Sequence, residues 1–138
     1  MARILIVEDD ALIRRLYEQA FNADGYEVVT AANGEQGLSA VKSGAPTLIL
    51  LDIMMPKVNG LELLEKIKAD PKYQKIPVIM LTNMSGQEDA KTALKMGAVK
   101  YIVKGEHKPK EIVDMVKEIL SGYIHNVPKT ASKPDAKN

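Results

Sequence analysis

Cysteine and tryptophan are both absent from this 138-residue chain, and phenylalanine occurs once. Without cysteine there is no disulfide framework, no thiolate metal site and no thiol nucleophile. The shortage of aromatics leaves little to stack on a flavin ring or on unpaired bases. An excess of one charge is missing too, since 19 Lys and Arg against 18 Asp and Glu give a formal net charge of +1. No basic stretch is interleaved with aromatics, so direct nucleic-acid binding is not indicated. The opening MARILIVEDD meets acids after only a short apolar run. That pattern is neither a signal peptide nor a membrane span, and a soluble cytoplasmic protein without a membrane partner is expected.

What the chain does have is an apolar fraction of 46%, enough for one well-formed core. Continuous apolar runs at Ile4–Val7, Thr47–Leu51, Val78–Leu81 and Val99–Val103 read as strands covered on both faces. Tyr26–Thr30 is β-rich but less apolar, which suits a position nearer an edge. Helical periods lie between and after them: Leu12, Ile13, Leu16, Tyr17, Ala20 and Phe21, then Leu38 and Val41, then Leu61, Leu64 and Ile67, then Ala90, Ala93 and Leu94, then Ile112, Val113, Val116, Ile119 and Leu120. Asn33 with Gln36 and Ser85 with Glu88 have capping spacing, and Gly25, Gly44 and Gly97 sit where helices should stop. Strand followed by helix, five times, implies an α/β domain with a parallel sheet and helices on both faces.

Sequence alone leaves strand order open, with a two-layer fold carrying an antiparallel edge as the competitor. The chemistry-bearing residues favour double winding, because they fall at the carboxyl ends of predicted strands, the rim that binds ligands in open α/β sheets. The domain is expected over residues 1–122, followed by a flexible tail over 123–138 rich in proline and lysine and without sustained apolar period.

Glu8 and Asp9 follow the first strand and Asp52 follows the third. If those strands are neighbours, three carboxylates converge, which requires a counter-charge, and hard oxygen donors in an open cluster favour Mg²⁺. Asp10 is better placed as a helix cap. Thr82 ends the fourth strand and Lys104 the fifth. A metal, an ammonium and a hydroxyl together are what a transferring phosphoryl group needs around its oxygens.

The blocks IVEDD at 6–10, LLDIMMPKVNG at 50–60, MLTN at 80–83 and YIVKG at 101–105 resemble the signature blocks of two-component response-regulator receiver domains. The likeness spans residues 3–120 and implies the flavodoxin-like doubly wound five-stranded fold of order 2-1-3-4-5. It further implies that Asp52 is the phospho-acceptor, Asp9 the direct Mg²⁺ ligand, Glu8 a water-mediated one and Met54 a backbone-carbonyl ligand. Thr82 would be the switch hydroxyl, Lys104 the phosphate-pairing lysine and Tyr101 the switch aromatic. The implied donor is a sensor histidine kinase or phosphotransfer protein, and the output is a downstream protein or a second copy of the chain, bound through residues 85–120. No free-standing enzymatic turnover is expected. Two positions depart from the family pattern: Gly105 stands where proline usually follows the lysine, and Asn83 where a small residue usually follows the threonine. Met54 and Met84 offer no good group for aiming a hydrolytic water, so a phosphorylated state lasting minutes or longer is expected.

Other readings fit less well. An FMN module needs a glycine- or hydroxyl-rich phosphate nest where this chain has Glu-Asp-Asp. A receiver-like scaffold that is never phosphorylated would not require all the acids, the hydroxyl and the lysine. A hydrolase lacks a general base, because His107 and His125 fall outside the predicted strand ends.

Overall fold

The computed structural model describes residues 2–55, 59–83 and 86–125. Its elements are β1 (Arg3–Val7), α1 (Ala11–Ala23), β2 (Glu27–Ala31), α2 (Gly34–Gly44), β3 (Leu48–Asp52), α3 (Gly60–Ala69), β4 (Val78–Thr82), α4 (Gln87–Lys95), β5 (Lys100–Val103) and α5 (Pro109–His125). The sheet runs β2-β1-β3-β4-β5, and all four pairings are parallel. Among the described residues the sheet has no antiparallel edge.

The continuous apolar strands are explained by two cores, one on each face of the sheet. Successive strand residues point to opposite faces. Leu5, Val7, Ile49, Leu51, Val78 and Met80 meet Val41, Leu63, Leu64, Ile67, Ala90 and Ala93 of α2, α3 and α4. Ile4, Ile6, Leu48, Leu50, Ile79, Leu81 and Ile102 meet Tyr17 and Phe21 of α1 and Ile112, Val113, Val116 and Leu120 of α5. The chain leaves β1 outward to β2 and returns across it to β3, so strand order reverses between β1 and β3 and opens a crevice at their carboxyl ends.

Capping follows the sequence in part. The Asp10 carboxylate accepts from Leu12 N and Ile13 N at 2.9 and 3.1 Å, and Asn33 accepts from Gln36 N. Ser85 lies outside the described residues, and α4 has Gly86 at its N-cap position. The full capping box belongs instead to Asn59 and Glu62 at the start of α3. Gly25 and Gly97 do adopt positive φ after α1 and α4, whereas Gly44 stays in the last turn of α2 and Ala45 takes the left-handed position.

One expectation needs correction. Leu12 and Leu16 sit in the apolar period of α1 yet are 68% and 44% exposed, and Leu94 of α4 is 40% exposed. The sheet and α5 reach only the Tyr17 and Phe21 side of α1, so a stripe read from periodicity is wider than the face it buries. β5 takes the edge position that the order 2-1-3-4-5 gives it, with Lys100 exposed and with Tyr101 and Ile102 packed on opposite faces of the sheet. α5 runs through His125. Residues 126–138 of the expected tail lie outside the described residues.

Candidate functional site

The rim at the carboxyl ends of β1, β3, β4 and β5 gathers the residues singled out above. Glu8 continues β1, its amide bonded to Ala31 O at 3.0 Å. Asp52 is the last residue of β3, Thr82 the last of β4, and Lys104 follows β5 with its amide on Thr82 O at 2.6 Å. Glu8, Asp9 and Asp52 each present a carboxylate oxygen within 4.8 Å of the others. Glu8 and Asp52 are buried at 0% and 2% exposure, while Asp9 faces solvent.

One ammonium serves the two buried acids. Lys104 Nζ lies 2.8 Å from Glu8 Oε1 and 3.1 Å from Asp52 Oδ1. Burial alone would lower the Lys104 pKa, but the hydrogen bond to Glu8 and the charges of Asp52 and Glu8 outweigh it and hold it above the ordinary lysine value. Asp52 shifts the other way for an acid: burial first, then the Glu8 charge, push its carboxyl from 3.8 up to about 8, against the pull of Lys104. Asp9 and Glu8 also stand within hydrogen-bonding reach of it, which favours the protonated form. Met54 N reaches Asp52 Oδ1 at 3.3 Å.

Glu8 Oε1, despite its short approach to the ammonium, and Asp52 Oδ2 have no well-directed donor among the described residues. Buried carboxylate oxygens left in this state are costly. Carboxylate oxygens gathered within 4.8 Å of one another are reconciled by a proton or a cation among them. Three hard oxygen donors carrying more negative charge than Lys104 offsets therefore fit Mg²⁺. Asp9 and Asp52 would hold it, with Glu8 behind them.

The other candidates are placed as follows. Thr82 is fully buried, and its hydroxyl donates to Asn83 O at 3.0 Å, so in this state it is bonded away from the carboxylates. Tyr101 is half-buried against the core on the α2–α4 face, the face that alternation from Met80 also gives Thr82. The Met54 side chain is 55% exposed on the rim; Met84 lies outside the described residues. Gly105 has φ +88, a conformation closed to proline with φ near −65°. A Cβ there would meet nothing within 4 Å, so the demand for glycine is one of backbone conformation.

Several contributors were not evident from the sequence. Arg14 donates from Nη1 to Glu8 O at 2.8 Å and so clamps the acidic loop from the second turn of α1. Tyr17, read as core, also borders the site: burial and then the Glu8 charge raise its phenol pKa. Gly60 starts α3 against β3, where a Cβ would overlap the Asp52 carbonyl oxygen and come within 2.7 Å of Ile53 Cα. Its position in the 50–60 block was the available signal.

Comparison with known proteins gives the family and the fold. The response regulator receiver domain family matches residues 4–117. Among curated relatives, a probable transcriptional regulator, ycf27, of Porphyridium aerugineum is 40% identical over 118 residues, covering 86% of this chain and 48% of that protein. The phosphate regulon transcriptional regulatory protein PhoB of Pseudomonas aeruginosa is 42% identical over 118 residues, covering 85% of this chain and 51% of that one. The chain thus spans about half the length of these relatives. A solved CheY-like receiver domain protein of Methanospirillum hungatei superposes with a TM-score of 0.78 at 36% identity, covering 88% of this chain and 94% of that one. Among the described residues no helix is long and apolar enough to cross a membrane. With the family's fold, strand order and sequence match all present, this chain belongs to the response regulator receiver domain family.

Proposed function

We propose that this receiver domain accepts a phosphoryl group on Asp52 from a phosphohistidine of a sensor kinase or phosphotransfer protein. The observation that carries the proposal is the buried Asp52 carboxylate, held at 3.1 Å by Lys104 beside two further acids. An Asp52 oxygen attacks phosphorus, the P–N bond to the donor imidazole breaks, and the electron pair leaves with the histidine ring, producing an aspartyl phosphate. When bound by Asp9 and Asp52, Mg²⁺ supplies divalent charge to the phosphoryl oxygens. Lys104 supplies the second cation and keeps Asp52 oriented. Nothing in this cycle requires turnover of a separate substrate. The test is incubation of the chain with acetyl phosphate and Mg²⁺, followed by intact-mass and peptide mapping. One phosphoryl group on the Asp52 peptide is expected; a label elsewhere, or none, overturns the reading.

The added group brings close to two negative charges and strong acceptors to the rim. Thr82 then exchanges its bond to Asn83 O for one to the phosphoryl oxygens, and Tyr101, on the same face of the sheet, moves into the space released. Output passes through the surface of α4, β5 and α5, roughly residues 85–120, where Leu94 and Val99 are exposed among Lys91, Lys95 and Lys100. A partner protein or a second copy of the chain is recognised there. Longer relatives named as transcriptional regulators are compatible with a DNA-binding output on a separate segment. Adding beryllofluoride, a phosphoryl mimic, with Mg²⁺ should move amide resonances of 86–120 beyond those of the rim itself. Unchanged shifts there, together with an unchanged mass in size exclusion, would place the output on another face.

A further inference from the structure

Gly86, the N-cap residue of α4, has φ −98 and ψ 13, a conformation that any L-residue adopts. Its backbone therefore does not require glycine. N-caps favour Ser, Asn and Asp at least as well as Gly, so capping does not require it either. What does require it is the Thr82 hydroxyl. A Cβ built at position 86 would overlap Thr82 Oγ1, whereas it would lie at ordinary contact distances of 3.6 Å from Thr82 Cβ and 3.5 Å from Asn83 Oδ1. Thr82 is fully buried and cannot relieve the overlap by swinging into solvent. Asn83 O draws the two together, accepting from Gly86 N at 3.0 Å and from Thr82 Oγ1 at 3.0 Å.

We propose that Gly86 is a positioning residue for the switch: the space left by its missing side chain is where Thr82 parks its hydroxyl in the resting state. Any side chain at 86 expels the hydroxyl from Asn83 O and forces Thr82 into another staggered rotamer. The functional half of this inference rests on the reading above, in which that hydroxyl later serves the phosphoryl group. A resting bond to Asn83 O competes with that service, and removing the competitor favours the phosphorylated state by the worth of one hydrogen bond, about two- to tenfold in the equilibrium.

The test uses Gly86→Ser, which keeps a good N-cap, in the wild-type and Thr82→Ala backgrounds of the full chain. Three-bond couplings to the Thr82 methyl carbon report its χ1 angle without any phosphorylation. Gly86→Ser is expected to change that rotamer, and an unchanged rotamer overturns the proposal. With acetyl phosphate and Mg²⁺, the half-saturating donor concentration is expected to fall about two- to tenfold in Gly86→Ser, and not to fall when Thr82 is already alanine. An equal effect in both backgrounds overturns the proposal. If Gly86→Ser alone does not fold, folding of Thr82→Ala/Gly86→Ser supports the steric coupling, and failure of both overturns it. Because the rotamer is read on unphosphorylated protein, loss of Asp52 chemistry and loss of this inference give separate results.

Discussion

Lys104→Met is expected to lose about 3–5 kcal/mol of stability at pH 8 in Mg²⁺-free buffer and to slow phosphorylation by acetyl phosphate about a hundredfold or more. Lys104 Nζ is the cation shared by Glu8 at 2.8 Å and Asp52 at 3.1 Å, both of them almost fully buried. Removing one member of a buried ion group costs far more than the intact group contributes, because the remaining charges have no counter-charge and little water. Here two carboxylates are left facing each other. Proton uptake is their escape, so the deficit should shrink as pH falls and widen as pH rises. Mg²⁺ should restore part of the stability by replacing the lost charge, but not the rate, because an ammonium aimed at the phosphoryl oxygens has no substitute. Lys104→Arg keeps the charge and should retain more stability than Lys104→Met, while the planar fork does not reproduce a point charge on two oxygens. Urea unfolding at pH 5.5 and 8, with and without Mg²⁺, checks the stability; equal losses at both pH values would show that the lysine acts by packing alone.

Much of this arrangement can be read before folding, for reasons that differ by residue. Asp9, Asp52, Thr82 and Lys104 are legible because a parallel sheet puts every strand's carboxyl end on one rim, so position along the chain converts directly into position in space. The faces of the strands follow from alternation, and the Asp10 and Asn33 caps from local spacing. The balance of charge within the rim is not local. That Glu8 rather than Asp52 takes the shorter approach to Lys104, and that Arg14 holds the Glu8 carbonyl, depends on how α1 and the β5–α5 turn pack, to which the one-dimensional pattern is blind. The same holds for Leu12 and Leu16, whose helical period is genuine although both stay exposed. Gly86 and Gly60 are legible only as glycines; the atoms that forbid a side chain there are the Thr82 hydroxyl and the end of β3.

The acidic site also makes the stability of the metal-free protein depend on pH in a direction opposite to that of ordinary salt-bridged acids. Asp52 is pushed from 3.8 up to about 8, so between those limits the folded chain keeps a proton that the unfolded chain has released. Stability follows the difference in bound protons, and each rise in pH across this window favours unfolding, at up to about 1.4 kcal/mol per pH unit. In EDTA the urea midpoint is expected to fall from about pH 4 to about pH 8 and to level off above. Mg²⁺ binds the ionised carboxylates, so its binding displaces the proton and its apparent affinity should climb up to about tenfold per pH unit until the Asp52 proton is gone. Saturating Mg²⁺ should therefore flatten the profile and stabilise most at alkaline pH. Asp52→Asn separates the causes. The amide has no proton to lose, so the downward slope in EDTA should largely vanish, and at pH 8 the variant should equal or exceed the wild type. It should also gain much less from Mg²⁺, since one of the three clustered carboxylates is gone. A wild-type profile already flat in EDTA, or a slope that survives in Asp52→Asn, would mean that the proton sits elsewhere. If the prediction holds, the Asp52 carboxylate is held at a cost to the fold that Mg²⁺ offsets, and its Oδ2 is an oxygen for which the described residues supply no donor.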